Sequence, residues 1–245
     1  MKSNVCFLLF CATLCVKAVS GSLDEAAPAT PQLQEPIFTS CKNEPSKVSG
    51  VYLIRINNDT SSLEAFCEQE KFDGGWLVVQ HRFDGSVDFY RNWTEYREGF
   101  GDVDKEFWLG LEKIHQITTA RPHEITIEMK AFDETYRYAR YDEFKIGSES
   151  EHYILTLGKY SGTAFDSMTR NNGMKFATMD RDDMDKENVP LGCVRAFRDP
   201  WWHADCTYAN LNGLYKNAND IRTMFWYDFK RYQGLSFTRM MIREI

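Results

Sequence analysis

The residues with the clearest capacity for chemistry form one acidic stretch, Asp180-Arg181-Asp182-Asp183-Met184-Asp185-Lys186-Glu187. Carboxylates spaced along a loop can wrap a hard cation, and Ca2+ takes roughly six to eight oxygen ligands. The stretch is not an EF-hand, because Asp185 stands where that loop turns on glycine and Leu191 where it ends on a bidentate glutamate. A solvated acidic loop, paired internally with Arg181 and Lys186, has the same spacing. Spacing alone leaves both readings open.

A second group is aromatic. Phe197, Trp201, Trp202, Tyr208 and Tyr215 surround Cys193 and Cys206, and Trp226, Tyr227 and Tyr232 follow. Such rings suit a pocket for a sugar or acyl group. Packing within a loop-rich region is the commoner use of the same residues. Arrangements for catalysis are missing: the chain has no GxSxG, no P-loop and no GxGxxG. His123-Glu124 opens a zinc-protease pattern, but Ile127 occupies the place of the second histidine, in a segment that alternates like a strand. The reading is a protein that is not an enzyme.

The elements that must position these groups follow from composition and periodicity. The 245 residues carry 29 Lys+Arg against 36 Asp+Glu, a net charge of −7, and 43% are hydrophobic. That content supports a core, and the acidic balance argues against binding to nucleic acid, which is driven by Lys and Arg on phosphates. Lys2, the apolar run Val5 to Val16, and Ala18-Val19-Ser20 read as a secretory signal peptide over 1–20. Residues 21–36, rich in Ala, Pro, Glu and Gln, read as a flexible leader, and 37–245 as one globular domain. No later stretch is long and apolar enough to span a bilayer. The expected location is extracellular. Cys41, Cys67, Cys193 and Cys206 remain after the leader is removed. They allow three pairings, of which the local one, Cys41–Cys67 with Cys193–Cys206, closes the shortest loops. Asn58 and Asn92 head glycosylation sequons, the second with a tryptophan at its centre.

Strands are expected at 51–56, 76–80, 125–129, 136–141, 153–157 and 238–242. The clean alternation Ile125-Thr126-Ile127-Glu128-Met129 predicts a half-buried strand. Asn92, with Glu95 three residues on and Gly99 beyond, predicts a short capped helix, and Leu111, Ile114 and Ile117 mark a second. The fold class is α+β, with a central twisted antiparallel sheet, short helices and a long loop-rich C-terminal region.

Ordered strings along most of the chain give it a resemblance. They include Gly74-Gly75-Trp76, Asp84-Gly85-Ser86-Val87-Asp88-Phe89-Tyr90-Arg91-Asn92-Trp93, Glu106-Phe107-Trp108-Leu109-Gly110, Trp201-Trp202 and Asn210-Leu211-Asn212-Gly213. In these the chain resembles the fibrinogen C-terminal domain family, and within it ficolins, tachylectins and secreted insect fibrinogen-related proteins. The resemblance implies a C-terminal subdomain that holds Ca2+ and a ligand pocket. It supports the local disulfides. It makes Asp182 the first side-chain ligand, while Met184 stands where the second acid belongs, leaving Asp185 or Asp183 to substitute. The implied pocket for an acetyl group comprises Phe197, Asp205, Cys206, Thr207, Ala218 and Tyr232, with a cis peptide at Asp205–Cys206. Thr207 replaces a usual histidine, and Phe197 a usual tyrosine. The function implied is a secreted recognition lectin that binds acetylated glycans on microbial surfaces in innate immunity, assisted by Ca2+. A protein-binding module for a receptor or peptide ligand is the alternative. A shallow sugar site implies several linked sites, so self-association into a homo-oligomer is expected.

Overall fold

Residues 36–56, 62–181 and 192–245 are described by a computed structural model. Its strands in chain order are β1 (Ile37–Phe38), β2 (Gly50–Arg55), β3 (Ser62–Glu68), β4 (Trp76–Arg82), β5 (Phe100–Gly101), β6 (Phe107–Trp108) and β7 (His123–Ala131). There follow β8 (Tyr136–Tyr141), β9 (Phe144–Ile146), β10 (Leu155–Leu157), β11 (Tyr160–Gly162), β12 (Ala209–Asn210), β13 (Phe225–Trp226) and β14 (Leu235–Glu244). The helices are α1 (Trp93–Glu98), α2 (Leu111–Ala120), α3 (Gly192–Phe197) and α4 (Tyr227–Lys230).

Ten strands make the main sheet, in the order β1-β2-β3-β4-β14-β7-β8-β11, with β6 against β4 and β5 against β6. All pairs are antiparallel except β1 with β2, so the sheet is mixed rather than purely antiparallel. The last strand enters the middle: β14 pairs with β4 through Ile242↔Leu77 and with β7 through Ile242↔Ile125.

Strand β7 differs from expectation. It is buried on both faces, including Thr126 and Glu128, because it lies between β14 and β8 with its polar face also covered. Glu128 is tolerated there because Lys71 Nζ at 2.8 Å, Tyr136 Oη at 2.7 Å and Arg239 Nε at 2.8 Å all donate to it. A buried carboxylate with charged partners and its lone pairs used is the form in which such a group survives in a core. The strand expected at 153–157 begins only at Leu155, because Tyr153 adopts a left-handed backbone, φ 48°.

Helix α1 carries the expected cap. Asn92 Oδ1 accepts from the Glu95 amide at 3.0 Å, and Glu95 Oε2 accepts from the Asn92 amide at 3.1 Å. Trp93 is buried and Asn92 half-buried, whereas the sequon at Asn58 lies outside the described residues, as do residues 1–35. Cys41 is joined to Cys67, and Cys193 to Cys206. The core is dominated by rings: Trp76, Trp108, Trp201, Trp202 and Trp226 are each at most 1% exposed. Trp201, Trp202 and Trp226 therefore take the packing role.

Candidate functional site

The C-terminal region contains a cavity of ≈ 280 Å³ lined by Arg170, Ala204, Asp205, Cys206, Thr207 and Tyr208. Its frame is local. Cys206 has φ 55°, a left-handed conformation that a non-glycine residue adopts at a cost of about 1–3 kcal/mol. The disulfide to Cys193 and the Ala204 amide, which donates to the Cys206 carbonyl at 2.8 Å, hold it there. Strain retained by surrounding structure is a mark of functional sites.

Thr207 stabilises the next turn. Its hydroxyl donates to the Ala209 carbonyl at 2.7 Å and accepts from the Ala209 amide at 3.0 Å and from Asn171 Nδ2 at 3.4 Å. That uses the one donor and both acceptor positions of a hydroxyl, so Thr207 gives a ligand only its methyl face. The same Asn171 amide donates to the Trp202 carbonyl at 2.5 Å, which fastens the Thr169–Asn171 turn to the cavity. Upstream, the Asp166 carboxylate accepts from Tyr141 Oη and from the amides of Met168 and Thr169. Burial raises the Asp166 pKa, but these bonds outweigh burial and leave it below the usual aspartate value.

Tyr208 forms one wall. The Arg170 guanidinium lies 4.6 Å from its ring centroid, and the Tyr227 ring lies 4.8 Å away on a tilt of 31°. Tyr227 meets Tyr232 at 5.2 Å, Tyr232 meets Phe225 at 5.2 Å, and Phe225 meets Phe197 at 6.4 Å. Of the sequence-derived pocket residues, Asp205, Cys206 and Thr207 thus line the cavity. Phe197 and Tyr232 belong to the aromatic row that continues from its wall, not to the lining. Ala218 faces neither: it sits in a turn whose carbonyl accepts from the Gly234 amide at 2.9 Å. Arg170 and Ala204 had no sequence signal, and Tyr208 was visible only as one member of an aromatic cluster.

The first residue of the acidic stretch is tied to α1. Asp180 Oδ1 accepts from the Trp93 amide at 2.9 Å and from Thr178 Oγ1 at 2.7 Å, so it is committed to the helix start. The Arg181 guanidinium covers the Trp93 ring at 4.0 Å and lies 3.6 Å from Glu149. Asp182, Asp183 and Asp185 lie outside the described residues. Among the described residues no group of three or more His, Cys, Asp or Glu could hold a metal ion.

Beneath the double tryptophan, Asp199 is fully buried with no hydrogen bond of ordinary geometry to its carboxyl. Burial pushes its pKa well above the ordinary 3.8, despite the opposing Arg82 charge and the Asn212 amide.

Residues 39–245 match the family model described as the C-terminal globular domain of fibrinogen beta and gamma chains. The chain belongs to this family. Over 198 residues it is 39% identical to chicken tenascin-R, covering 80% of this chain and 14% of that protein. It is 38% identical over 205 residues to mouse fibrinogen C domain-containing protein 1, covering 80% of this chain and 44% of the other. The chain therefore spans less than half the length of these curated relatives. Among solved structures, the fibrinogen-like globe domain of human ANGPTL6 superposes with a TM-score of 0.80 at 33% identity, covering 87% of this chain and 99% of that one. The lamprey fibrin D-dimer, complexed with the peptide ligand Gly-His-Arg-Pro-amide, superposes with a TM-score of 0.76 at 31% identity, covering 86% and 74%. The fibrinogen-like globe accounts for the mixed sheet. Among the described residues no helix is long and apolar enough to cross a membrane.

Proposed function

We propose that this fibrinogen-like domain is a secreted, non-enzymatic recognition module whose C-terminal cavity binds acetylated glycans on microbial surfaces, in innate immunity. The observation that carries the reading is the cavity beside Cys206, with an apolar wall from Tyr208 and the Thr207 methyl face and with charged groups at Arg170 and Asp205. An acetyl methyl needs an apolar recess, and the rest of a sugar needs polar groups at its rim. A recess of this size gives weak affinity for one sugar, so useful binding comes from several domains acting together as a homo-oligomer. When bound, Ca2+ would be held by Asp182, Asp183 and Asp185 and would add positive charge to that acidic stretch.

A second reading has its own support. Thr207 spends its hydroxyl internally, so it lacks the free polar group that a histidine would place there. A peptide ligand, as in the lamprey fibrin complex, is the corresponding alternative. Retention of the secreted protein on N-acetylglucosamine resin, with and without EDTA and eluted by free acetylated sugar, separates the readings. Retention with sugar elution supports the glycan site, and its loss in EDTA supports the calcium. No retention in either buffer refutes the glycan reading and favours a peptide or protein partner.

A further inference from the structure

The sequon Asn92-Trp93-Thr94 forms the start of α1, and the fold divides its three side chains. Trp93 turns inward. It is 6% exposed, its ring stacks on Tyr153 at 5.6 Å, and its indole Nε1 donates to Glu149 Oε1 at 2.7 Å. Thr94 turns outward and is exposed. Asn92 lies between them as the helix cap. Its amide donates to Glu95 Oε2 at 3.1 Å, its carbonyl accepts from the Tyr96 amide at 3.1 Å, and its Oδ1 accepts from the Glu95 amide at 3.0 Å. The helix start thus uses three of its four polar groups. The fourth, Nδ2, makes no hydrogen bond among the described residues and is not shut away from solvent. The carboxamide is planar, so pinning Oδ1 on the helix aims Nδ2 away from it.

We propose that Asn92 carries an N-linked glycan, joined through Nδ2. The proposal rests on the secreted reading above, because the sugar donor is met only in the secretory compartment. In the transfer, Nδ2 gives up one proton and bonds to C1 of the N-acetylglucosamine that ends a lipid-pyrophosphate-linked oligosaccharide. The C1–O bond breaks, and the lipid pyrophosphate leaves with the electron pair. The hydroxyl that the sequon requires comes from Thr94, on the open side of the helix. The product keeps the amide carbonyl, so Oδ1 still accepts from the Glu95 amide and the capping box survives. The tryptophan at the centre of the sequon is no obstacle in the fold, since it packs against Tyr153 on the inner side. The folded domain therefore accommodates a bulky, hydrated group at this position without breaking a buried contact.

The test uses the full chain expressed in eukaryotic cells and recovered from the medium. Peptide-N-glycosidase in heavy-oxygen water turns a glycosylated asparagine into labelled aspartate, and trypsin digestion follows. Lys71, Arg82 and Arg91 lie between the two sequons, so residues 92–97 are read by mass spectrometry apart from Asn58. Most 92–97 peptides of the parent protein should carry the label. Thr94→Ala should lose it, and Thr94→Ser, which keeps the hydroxyl, should retain it. Thr94→Ala should also unfold within about 2 °C of the enzymatically deglycosylated parent, because an exposed site away from the cap is changed. A secreted parent protein with an unlabelled 92–97 peptide, or a label that persists in Thr94→Ala, overturns the proposal and leaves the secreted reading standing. Absence of the chain from the medium overturns both.

Discussion

Glu106 should be the carboxylate on which the Phe83–Val87 loop chiefly depends. It is fully buried, and its Oε1 accepts the amides of Phe83 at 2.6 Å and of Asp84 and Gly85 at 2.9 Å, while Oε2 accepts that of Val87 at 3.2 Å. Its Oε2 also lies 3.8 Å from Arg82 Nε, and both side chains are at most 2% exposed. Burial lowers the Arg82 pKa, and Glu106 is the largest charge that opposes this. Arg82 in turn donates to the Gly213 carbonyl at 2.9 Å, which ties β4 to the C-terminal loops. In Glu106→Gln the amide oxygen keeps the three Oε1 partners, but an NH2 group faces the Val87 amide. The Arg82 guanidinium is left buried without its nearest counter-charge. Breaking one side of a buried pair costs about 3–5 kcal/mol. At about 2–4 °C per kcal/mol for a domain of this size, Tm should fall by about 6–20 °C. Thermal unfolding followed by tryptophan fluorescence, with disulfides intact, measures it. The Arg82→Met change made in both backgrounds should couple by more than the roughly 0.5 kcal/mol expected of independent sites. A loss under about 1 kcal/mol, or additivity in the cycle, would refute the view that this pair holds the loop.

Other outcomes follow from the same structure. Asp199→Asn should stabilise the domain near neutral pH. A carboxyl whose folded pKa is raised has its full stability below the ordinary 3.8 and loses it as pH climbs toward the folded value, so the variant should flatten that decline in urea midpoints. An unchanged pH profile counts against a buried, strained acid at 199. Replacing Cys193 and Cys206 by serine should cost about 3 kcal/mol, given their separation of 13 residues, and should also abolish sugar retention as the Cys206 conformation relaxes. Retention surviving the double change would show that the cavity does not need the bridge. Tyr208→Ala should reduce sugar binding, with Tm changed by less than about 1 kcal/mol equivalent, because the ring is only half-buried. Sugar binding unchanged in Tyr208→Ala would refute the role of this ring as a wall of the site.

What was legible in the sequence is what neighbours in the chain decide. The Asn92–Glu95 capping box closes within four residues, and the α2 stripe Leu111, Ile114 and Ile117 repeats at helical spacing. The disulfide pairing follows from the smaller loops. The strings shared with the family were readable for the same reason, and they made the fold class accessible before any coordinate. Sheet order was not: β14 entering between β4 and β7 joins residues more than a hundred positions apart, and no local pattern encodes that choice. It is also what buries the polar face of β7, so Thr126 and Glu128 looked solvated in the alternation and proved to be core.

At the cavity the division is the same. The run Asp205-Cys206-Thr207 could be named in advance because the family resemblance carries over residue by residue along adjacent positions, and these line the cavity. Arg170 could not, because it reaches the wall through Asn171 and Trp202, 31 residues apart in the chain. Phe197 and Tyr232 were expected in the pocket, but tertiary packing placed them further along the aromatic row, Tyr232 beyond Tyr227 and Phe197 beyond Phe225. Sequence alone determined the local hydrogen bonds, periodicities and covalent links, since their energies are set by the few residues that make them. Only the folded chain decided which charges were paired with which, because a charge finds its counter-ion by distance in space.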